Sequence, residues 1–328
     1  MAAGAGWVLP AFAEESWHAG GMEPVGDSDQ SGRLHAVQST LGAGLASSPM
    51  FWTLVGGVIL ASIAIWSMGL VRADGLAKNR RDVRAFPWWL WVAAAFIVYS
   101  GVIVGSSLAR IALQGEQNEH KVRAITTMAG FVFAIVSGLV LMRVASDKNK
   151  RTGMQMAAGD LRRGLVAFLI AVPFVLGTSV VSTMLYTKIN QKAPDNAAHE
   201  LLRLYRDNPS DVWVWMMLGA AVILAPIVEE LLYRAFLQTG FLAATKRAWI
   251  AIIATSILFT LMHVGTPDKP NVPWHALPTL FVLSIGMGVA FERSGRVGVP
   301  ILMHVLFNAS NVAIMVWSSS GGQAKTGG

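Results

Sequence analysis

Residues 212–244 have the sequence VWVWMMLGAAVILAPIVEELLYRAFLQTGFLAA, an almost unbroken apolar run that contains two adjacent acids and an arginine. A helix needs about 20 mostly apolar residues to cross a bilayer, and this run is longer. Pro226 near its middle predicts a kinked, tilted or broken helix. Ionisable side chains at membrane depth usually face a bundle interior or a wet cavity, and they indicate a functional site. Glu229, Glu230 and Arg234 are therefore the first candidate site residues.

The composition places the whole chain in a membrane. Of its 328 residues, 54% are hydrophobic and only 14% are charged, whereas soluble domains carry about 25% charged residues. Further apolar runs cover residues 50–71, 86–108, 124–144, 164–186, 249–264, 277–291 and 297–317. We therefore predict an all-α fold, a polytopic transmembrane helix bundle of about eight spans with a polar cavity.

The net charge of +7 is better explained by membrane topology than by nucleic-acid binding. Basic residues cluster in the connections after the first and third spans, at Lys246 and Arg247, and at Arg293 and Arg296. All these connections fall on the cytoplasmic side if the N-terminus is outside, as the positive-inside rule requires. No nucleic-acid motif accompanies the charge. Because the tail is short and the loops are compact, we predict a multi-pass protein of a bacterial cytoplasmic membrane.

The chain divides by composition into five segments. The predicted segments are a polar, disordered tail (1–48), N-terminal transmembrane helices that act as scaffold (49–186), a polar loop with a surface helix (187–211), the core that carries the chemistry (212–318) and a disordered C-terminal tail (319–328). The first tail lacks a helical or strand period. The A-x-A pattern at residues 11–13 also fits the cleavage site of a truncated signal peptide.

The acid pair and the arginine are spaced so that their roles can differ. Glu230 and Arg234 are four residues apart, so they share one helix face and can pair. Arginine does not lose its proton in a protein, so it needs a carboxylate partner at this depth. Glu229 is rotated by about 100° from Glu230 and stays available to a cavity. A single structural cluster of all three side chains is the alternative.

Two more polar pairs lie on later helices, each with its members one turn apart. Phe259 precedes His263 by four residues, and His304 precedes Asn308 by the same interval, with Asn311 three residues further on. A lone histidine in a membrane helix is more often a packing residue than a catalyst. Polar residues on one helix face can form an interhelical seam worth about 1 kcal/mol per contact, which suits Asn311. Histidine and asparagine together can also donate to a developing oxyanion.

The patterns E-E-x-x-x-R, F-x-x-x-H and H-x-x-x-N, each on its own hydrophobic helix and in this order, resemble one family. It is the CAAX protease and bacteriocin-processing (CPBP) family of intramembrane proteases, which includes the type II CAAX prenyl endopeptidases. The resemblance covers about residues 212–317 and implies an active-site cavity. The catalytic residues that it implies are Glu229, His263, His304 and Asn308. The supporting residues that it implies are Glu230, Arg234 and Phe259.

The resemblance also implies a mechanism and a class of substrate. Glu229, helped by His263, would activate a water that attacks the scissile amide, and His304 with Asn308 would stabilise the oxyanion. The partners would be the lipid bilayer and a membrane-associated or lipidated peptide or protein. Family members process prenylated tails in eukaryotes, whereas many bacterial members are linked to bacteriocin maturation or self-immunity. The short tail and compact loops look bacterial, and protein prenylation is not expected in bacteria. We therefore predict endoproteolysis of a membrane-associated peptide or protein, prenylated or not.

A metal-dependent version of this chemistry uses the same side chains. Glu229, His263 and His304 could supply a zinc site with an open position for water. The family is often labelled metalloprotease, but the chain lacks H-E-x-x-H, whose two histidines on one helix favour zinc. The sequence therefore favours metal-free glutamate chemistry and leaves Zn²⁺ open.

Other classes of function fit the sequence less well. The absence of cysteine excludes a thiol nucleophile and a thiolate metal site. The chain has no G-x-S-G motif for a serine enzyme, and Asp160 lies in a polar stretch without a second intramembrane aspartate. The remaining alternative is a membrane scaffold or transporter in which the polar cluster is a structural seam or a proton path.

Overall fold

The computed structural model describes residues 49–69, 76, 81–83, 86–146, 152–191, 200–264 and 274–323, and it confirms the all-α prediction for them. The helices are α1 (Pro49–Ser67), α2 (Trp88–Ala112), α3 (Glu119–Ala145), α4 (Gly159–Asn190), α5 (Glu200–Asp207), α6 (Val212–Thr245), α7 (Ala248–Leu261), α8 (Leu277–Ser294) and α9 (Gly298–Gln323). A short 3₁₀ turn, Trp274–Ala276, leads into α8. The predicted tail 1–48 lies outside the described residues, whereas α9 continues into the predicted C-terminal tail.

Among the described residues, five segments are long and apolar enough to cross a bilayer: Trp88–Ala112, Glu119–Ala145, Gly159–Asn190, Val212–Thr245 and Trp274–Ser294. The protein is therefore a multi-pass integral membrane protein. Three shorter apolar helices accompany them, at Trp52–Ser67, Ala248–Leu261 and Gly298–Ile314. The count of about eight crossings stays a prediction. It requires the shorter helices to span by local thinning of the bilayer or by flanking residues that reach the interface.

Helices α2 and α3 form a hairpin whose backbones touch. A Cβ atom at Gly105 would lie 2.5 Å from Ala129 O, and one at Gly130 would lie 2.8 Å from Val102 O. Lipid tails are as apolar as leucine, so helices in a membrane associate largely through such close packing of small residues. The hairpin is thus the rigid scaffold against which α6 packs.

Helix α6 is continuous, but its hydrogen-bond register changes around the proline. Two π-helical stretches, Ala220–Leu224 and Leu231–Gln238, flank the α-helical turns Ala225–Glu230. The Ala225 N–H donates to Ala220 O, so in this register the next carbonyl, Ala221 O, is directed at Pro226, which has no N–H. Nδ2 of Asn308 donates to Ala221 O at 2.9 Å instead. Asn308 therefore repairs the bond that Pro226 removes and ties α9 to α6.

At one end of the bundle, the basic end, charged side chains join the connections between helices. Arg293 Nη1 donates to Met68 O at 3.0 Å, beyond the end of α1. Arg296 pairs through Nε with Asp160 Oδ1 in the first turn of α4. Both contacts join connections that the predicted crossing pattern places on the same side. Asp160 is thereby held in an ion pair at the end of a helix.

The opposite end of the bundle has its own contacts. His120 at the start of α3 pairs with Asp211, whose side chain also accepts from Trp213 N and caps α6. The hydrogen bond from His120 holds the pKa of Asp211 below its usual range. The α5 helix covers this end, and the Tyr205 ring stands edge-on to Trp215 with centroids 5.0 Å apart. This end therefore carries a polar cap on α6 and an aromatic contact between α5 and α6.

The close approach of α2 and α3 predicts that replacing glycine by alanine lowers the stability at Gly105, whereas the same replacement at an uncrowded position in α1, Gly56, raises it. Gly105→Ala should lower the stability of the detergent-purified protein by about 1–3 kcal/mol, because the new methyl group meets backbone atoms. Gly56→Ala in α1 is the matched control, because a Cβ there meets nothing within 4 Å. It should raise stability by up to about 1 kcal/mol through helix propensity. Thermal unfolding measures both, and equal midpoints would contradict the packing argument.

Candidate active site

Glu229 and His263 face one cleft in the interior of the bundle. Lys246, at φ +60°, ends α6 and begins the turn into α7. Glu229 in α6 and His263 after α7 are equally far from Lys246 in sequence. Each therefore lies about 25 Å from this turn along the α6–α7 hairpin. Their side chains line one small cleft. The remaining lining residues are Leu232, Tyr233 and Met262.

The neighbouring acid, Glu230, is fully engaged. Its Oε2 accepts from Arg234 Nε at 3.0 Å, and both side chains are completely buried. Its Oε1 lies 3.2 Å from His304 Nδ1. Arg234 also donates from Nη2 to Ser284 Oγ at 2.8 Å, which ties α6 to α8. The i,i+4 pairing predicted for Glu230 and Arg234 is therefore present as a buried ion pair.

Glu229 differs from Glu230 in what surrounds it. Its Oε2 is buried and has no hydrogen-bond partner among the described residues, and its nearest ionic contact is His304 Nε2 at 3.8 Å. The side chain keeps 16% of its surface exposed, against 0% for Glu230. An unpaired buried carboxylate is costly unless water or a ligand contacts it. Glu229 is thus the acid that can accept a proton from a molecule in the cleft.

The tautomer of His263 follows from its backbone contact. His263 lies in the turn just after α7, and its Nδ1 is 2.7 Å from Phe259 O. A carbonyl oxygen only accepts, so Nδ1 carries the hydrogen and donates it. In the neutral ring, Nε2 then has a lone pair. His263 can therefore accept a hydrogen bond, or a proton, at Nε2.

His304 and Asn308 are each held by one of their polar groups. The Glu230 carboxylate accepts from His304 Nδ1, so His304 Nε2 carries a hydrogen only when the ring is an imidazolium. Asn308 spends one amide hydrogen on Ala221 O and retains a second. His304 contacts Glu229 directly. Neither His304 nor Asn308 is among the residues that line the cleft.

The Phe259 ring packs among the polar and aromatic side chains of the candidate site. It is completely buried, and its ring centroid lies 4.7 Å from that of His263 and 5.8 Å from that of His304. The Arg234 guanidinium carbon is 5.7 Å from the same ring. Tyr233 stands edge-on to it at 5.2 Å. Phe259 therefore fixes the relative positions of side chains from three helices.

Sequence reasoning missed a second buried polar cluster at the basic end. Arg81, which the sequence analysis assigned to the basic connection after the first span, is buried and makes a bidentate pair with Glu292 at 2.7 and 3.2 Å. Gln238 Nε2 donates to Glu292 Oε1 at 2.9 Å and to Gly288 O at 3.1 Å. The available signal was the four-residue spacing of Glu230, Arg234 and Gln238. This spacing predicts one continuous polar face on α6.

The proposed zinc ligands were tested on their arrangement. In the part of the chain that the structure describes, no three histidine or acidic side chains converge as a metal-ion site. The arrangement does not fit a His₂Glu centre, and no chemical step below passes through a metal.

Comparison with known proteins agrees with the motifs. Residues 211–310 match the family described as Type II CAAX prenyl endopeptidase Rce1-like, and this segment is a domain of that family. The resemblance drawn from the three motifs is confirmed. The UPF0177 protein YbdI of Lactococcus lactis subsp. lactis (strain IL1403) is 27% identical over 144 residues, which are 44% of this chain and 71% of that protein. No solved structure matches.

The buried ion pair predicts a large effect of removing Arg234. Arg234→Ala should destabilise the protein by about 3–5 kcal/mol, because it leaves the Glu230 carboxylate buried without its cation. Arg162→Ala is the control, because Arg162 is exposed near the start of α4. Thermal unfolding in detergent measures both. Unchanged stability of Arg234→Ala would contradict the predicted role.

Proposed function

We propose that this protein is an intramembrane endopeptidase that hydrolyses a peptide bond with a water activated by Glu229. The family match over residues 211–310 indicates protease activity on a protein or peptide. The observation that carries the assignment is the contrast between the two adjacent acids. Glu230 is bound by Arg234 and His304, whereas Glu229 Oε2 has no hydrogen-bond partner among the described residues and the Glu229 side chain lines the cleft.

The first step is proton transfer from water. A water between Glu229 and His263 gives one proton to the carboxylate, and its oxygen attacks the carbonyl carbon of the substrate. Nε2 of His263 accepts a hydrogen bond from the other hydrogen and orients the nucleophile. General base catalysis of this kind contributes typically about 10²–10⁴-fold in rate. The apolar side chains of Leu232 and Met262 limit the water that enters the cleft.

The reaction also requires hydrogen-bond donors to the substrate carbonyl oxygen, which becomes negatively charged in the tetrahedral intermediate. Attack moves the carbonyl π electrons onto oxygen, and His304 as an imidazolium donates to that oxygen from Nε2. Glu230 is its counter-ion at Nδ1. Asn308 contributes its second amide hydrogen, while the first remains on Ala221 O. When the intermediate collapses, the C–N bond breaks and the proton on Glu229 passes to the leaving amine.

The substrate that fits this setting is a membrane-associated or lipidated peptide or protein. The cleft lies within a helix bundle whose outward surfaces carry exposed apolar side chains, such as Phe96 on α2 and Leu261 on α7. The basic end faces the cytoplasm by the positive-inside rule, which fits a bacterial cytoplasmic membrane. The chemistry acts on the amide and does not require a prenyl group.

The alternative function is a scaffold or transporter without catalysis. The observation in its favour is the row of buried polar side chains from Glu292 through Gln238 and Arg234 to Glu230. Such a row also suits an interhelical seam or a proton path. A seam tolerates the isosteric change Glu229→Gln, whereas a general base does not.

The base assignment predicts the outcome of one comparison. Detergent-purified protein and its Glu229→Gln variant are each incubated with the same mixture of membrane peptides, and mass spectrometry identifies the products. We expect cleavage products from the native protein, with a rate at least about 10²-fold higher than that of the variant. Thermal unfolding of both proteins is the control for folding. Identical product patterns would support the scaffold alternative.

The metal-free chemistry predicts that chelators leave the activity intact. Treatment with EDTA and with 1,10-phenanthroline should change the rate by less than about twofold, because the proposed steps need only protein groups and water. A zinc peptidase treated in the same detergent is the control for effective chelation. Equimolar bound zinc that is lost together with activity in Glu229→Ala would show instead that the reaction depends on the metal.

A further inference from the structure

The cleft contains a third polar group that the proposed chemistry has not used. Of its lining residues, Leu232 and Met262 are apolar, and Glu229 and His263 bind and activate the water. The remaining lining residue is Tyr233. A phenol is a neutral hydrogen-bond donor over the physiological range, because its usual pKa is about 10. The cleft therefore holds a donor next to the base.

The two donors predicted from the sequence supply less than a full oxyanion site. His304 is 5% exposed and must be an imidazolium before its Nε2 can donate. Asn308 has one amide hydrogen bound to Ala221 O, the carbonyl that Pro226 leaves without a donor. Neither is among the residues that line the cleft. A carbonyl oxygen that enters the cleft thus needs a donor at the lining itself.

The position of Tyr233 is set by rigid neighbours. It follows Glu229 by four residues on α6, so the two side chains leave the helix roughly one turn apart on the same side. Its ring is edge-on to Phe259, with centroids 5.2 Å apart and planes at 77°. The same Phe259 ring contacts His263. The phenol is therefore held in fixed relation to both groups that activate the water.

We propose that Tyr233 is a further catalytic residue, whose hydroxyl donates a hydrogen bond to the oxyanion of the tetrahedral intermediate. The inference rests on the proposed function. The water oxygen forms a bond to the carbonyl carbon, its proton goes to Glu229, and the π pair moves to the oxygen that Tyr233 contacts. On collapse the C=O bond reforms, the C–N bond breaks, and Glu229 returns its proton to the amine. Tyr233 keeps its own proton throughout.

The test removes the hydroxyl and nothing else. Tyr233→Phe keeps the ring that packs edge-on against Phe259. The matched control is Tyr205→Phe, because Tyr205 is also buried and edge-on to an aromatic ring, but lies on α5 and is not among the residues that line the cleft. Both variants, the native protein and Glu229→Gln are assayed with one fluorescence-quenched peptide. Its sequence is taken from a cleavage found in the mass-spectrometric comparison.

Loss of one preorganised oxyanion donor lowers kcat by about 10²–10³-fold in enzymes where it has been removed. We expect a loss of that size in Tyr233→Phe, with KM within about threefold, the same thermal midpoint and the same pH profile as the native protein. Tyr205→Phe should match the native protein in all four. An unchanged KM and midpoint distinguish a donor to the transition state from a packing residue.

The outcomes separate this inference from the proposed function. If Glu229→Gln is inactive and Tyr233→Phe retains kcat within about threefold, the function stands and the role of Tyr233 is wrong. If Tyr233→Phe loses activity only in proportion to a lowered thermal midpoint, the hydroxyl is structural and the inference is again wrong. If the native protein and Glu229→Gln give the same products, the proposed function fails and the role of Tyr233 fails with it.

Discussion

A buried arginine imposes the main constraint on this bundle. Arg234 has no exposed surface and keeps its charge under all physiological conditions, so it must have an anion beside it. Glu230 provides that anion, Ser284 accepts a hydrogen bond from Nη2, and the guanidinium carbon lies 5.7 Å from the centroid of the Phe259 ring. Because these partners come from α6, α7 and α8, the single charge determines how three helices meet. The other oxygen of Glu230 then holds His304 of α9 in place.

A second buried arginine, Arg81 at the basic end, is also paired with a buried acid. Arg81 lies between the Glu292 carboxylate and the ring of Phe291, and Gln238 completes the hydrogen bonding of Glu292. Such buried pairs add little net stability, because desolvation of the charges offsets their attraction. Their effect is geometric, since a helix that slips out of register leaves a charge unpaired in an apolar medium. The two clusters contact α8 at Ser284 and Glu292, about 12 Å apart along that helix, and therefore fix the register of α8 against α6.

The division of labour between the two acids follows from this constraint. Adjacent residues on a helix point about 100° apart, so only Glu230 can meet the charge of Arg234. Glu229 is turned towards the cleft, where His263 and Tyr233 are its neighbours. Polar groups that hold the helices together and polar groups that react are thus adjacent in sequence but separate in space.

Much of the site was predictable from spacing alone. Residues four apart on a helix are neighbours whatever the fold, so Glu230 with Arg234, and Phe259 with His263, could be paired from the sequence. The apolar runs likewise predict spanning helices, because backbone N–H and C=O groups in lipid must find hydrogen-bond partners within the protein, as they do in a helix. Contacts between helices are different, because they depend on packing, register and depth. Three-dimensional packing alone placed Arg81 against Glu292, aimed Asn308 at the carbonyl that Pro226 leaves unpaired, and brought His304 beside Glu229 and Glu230.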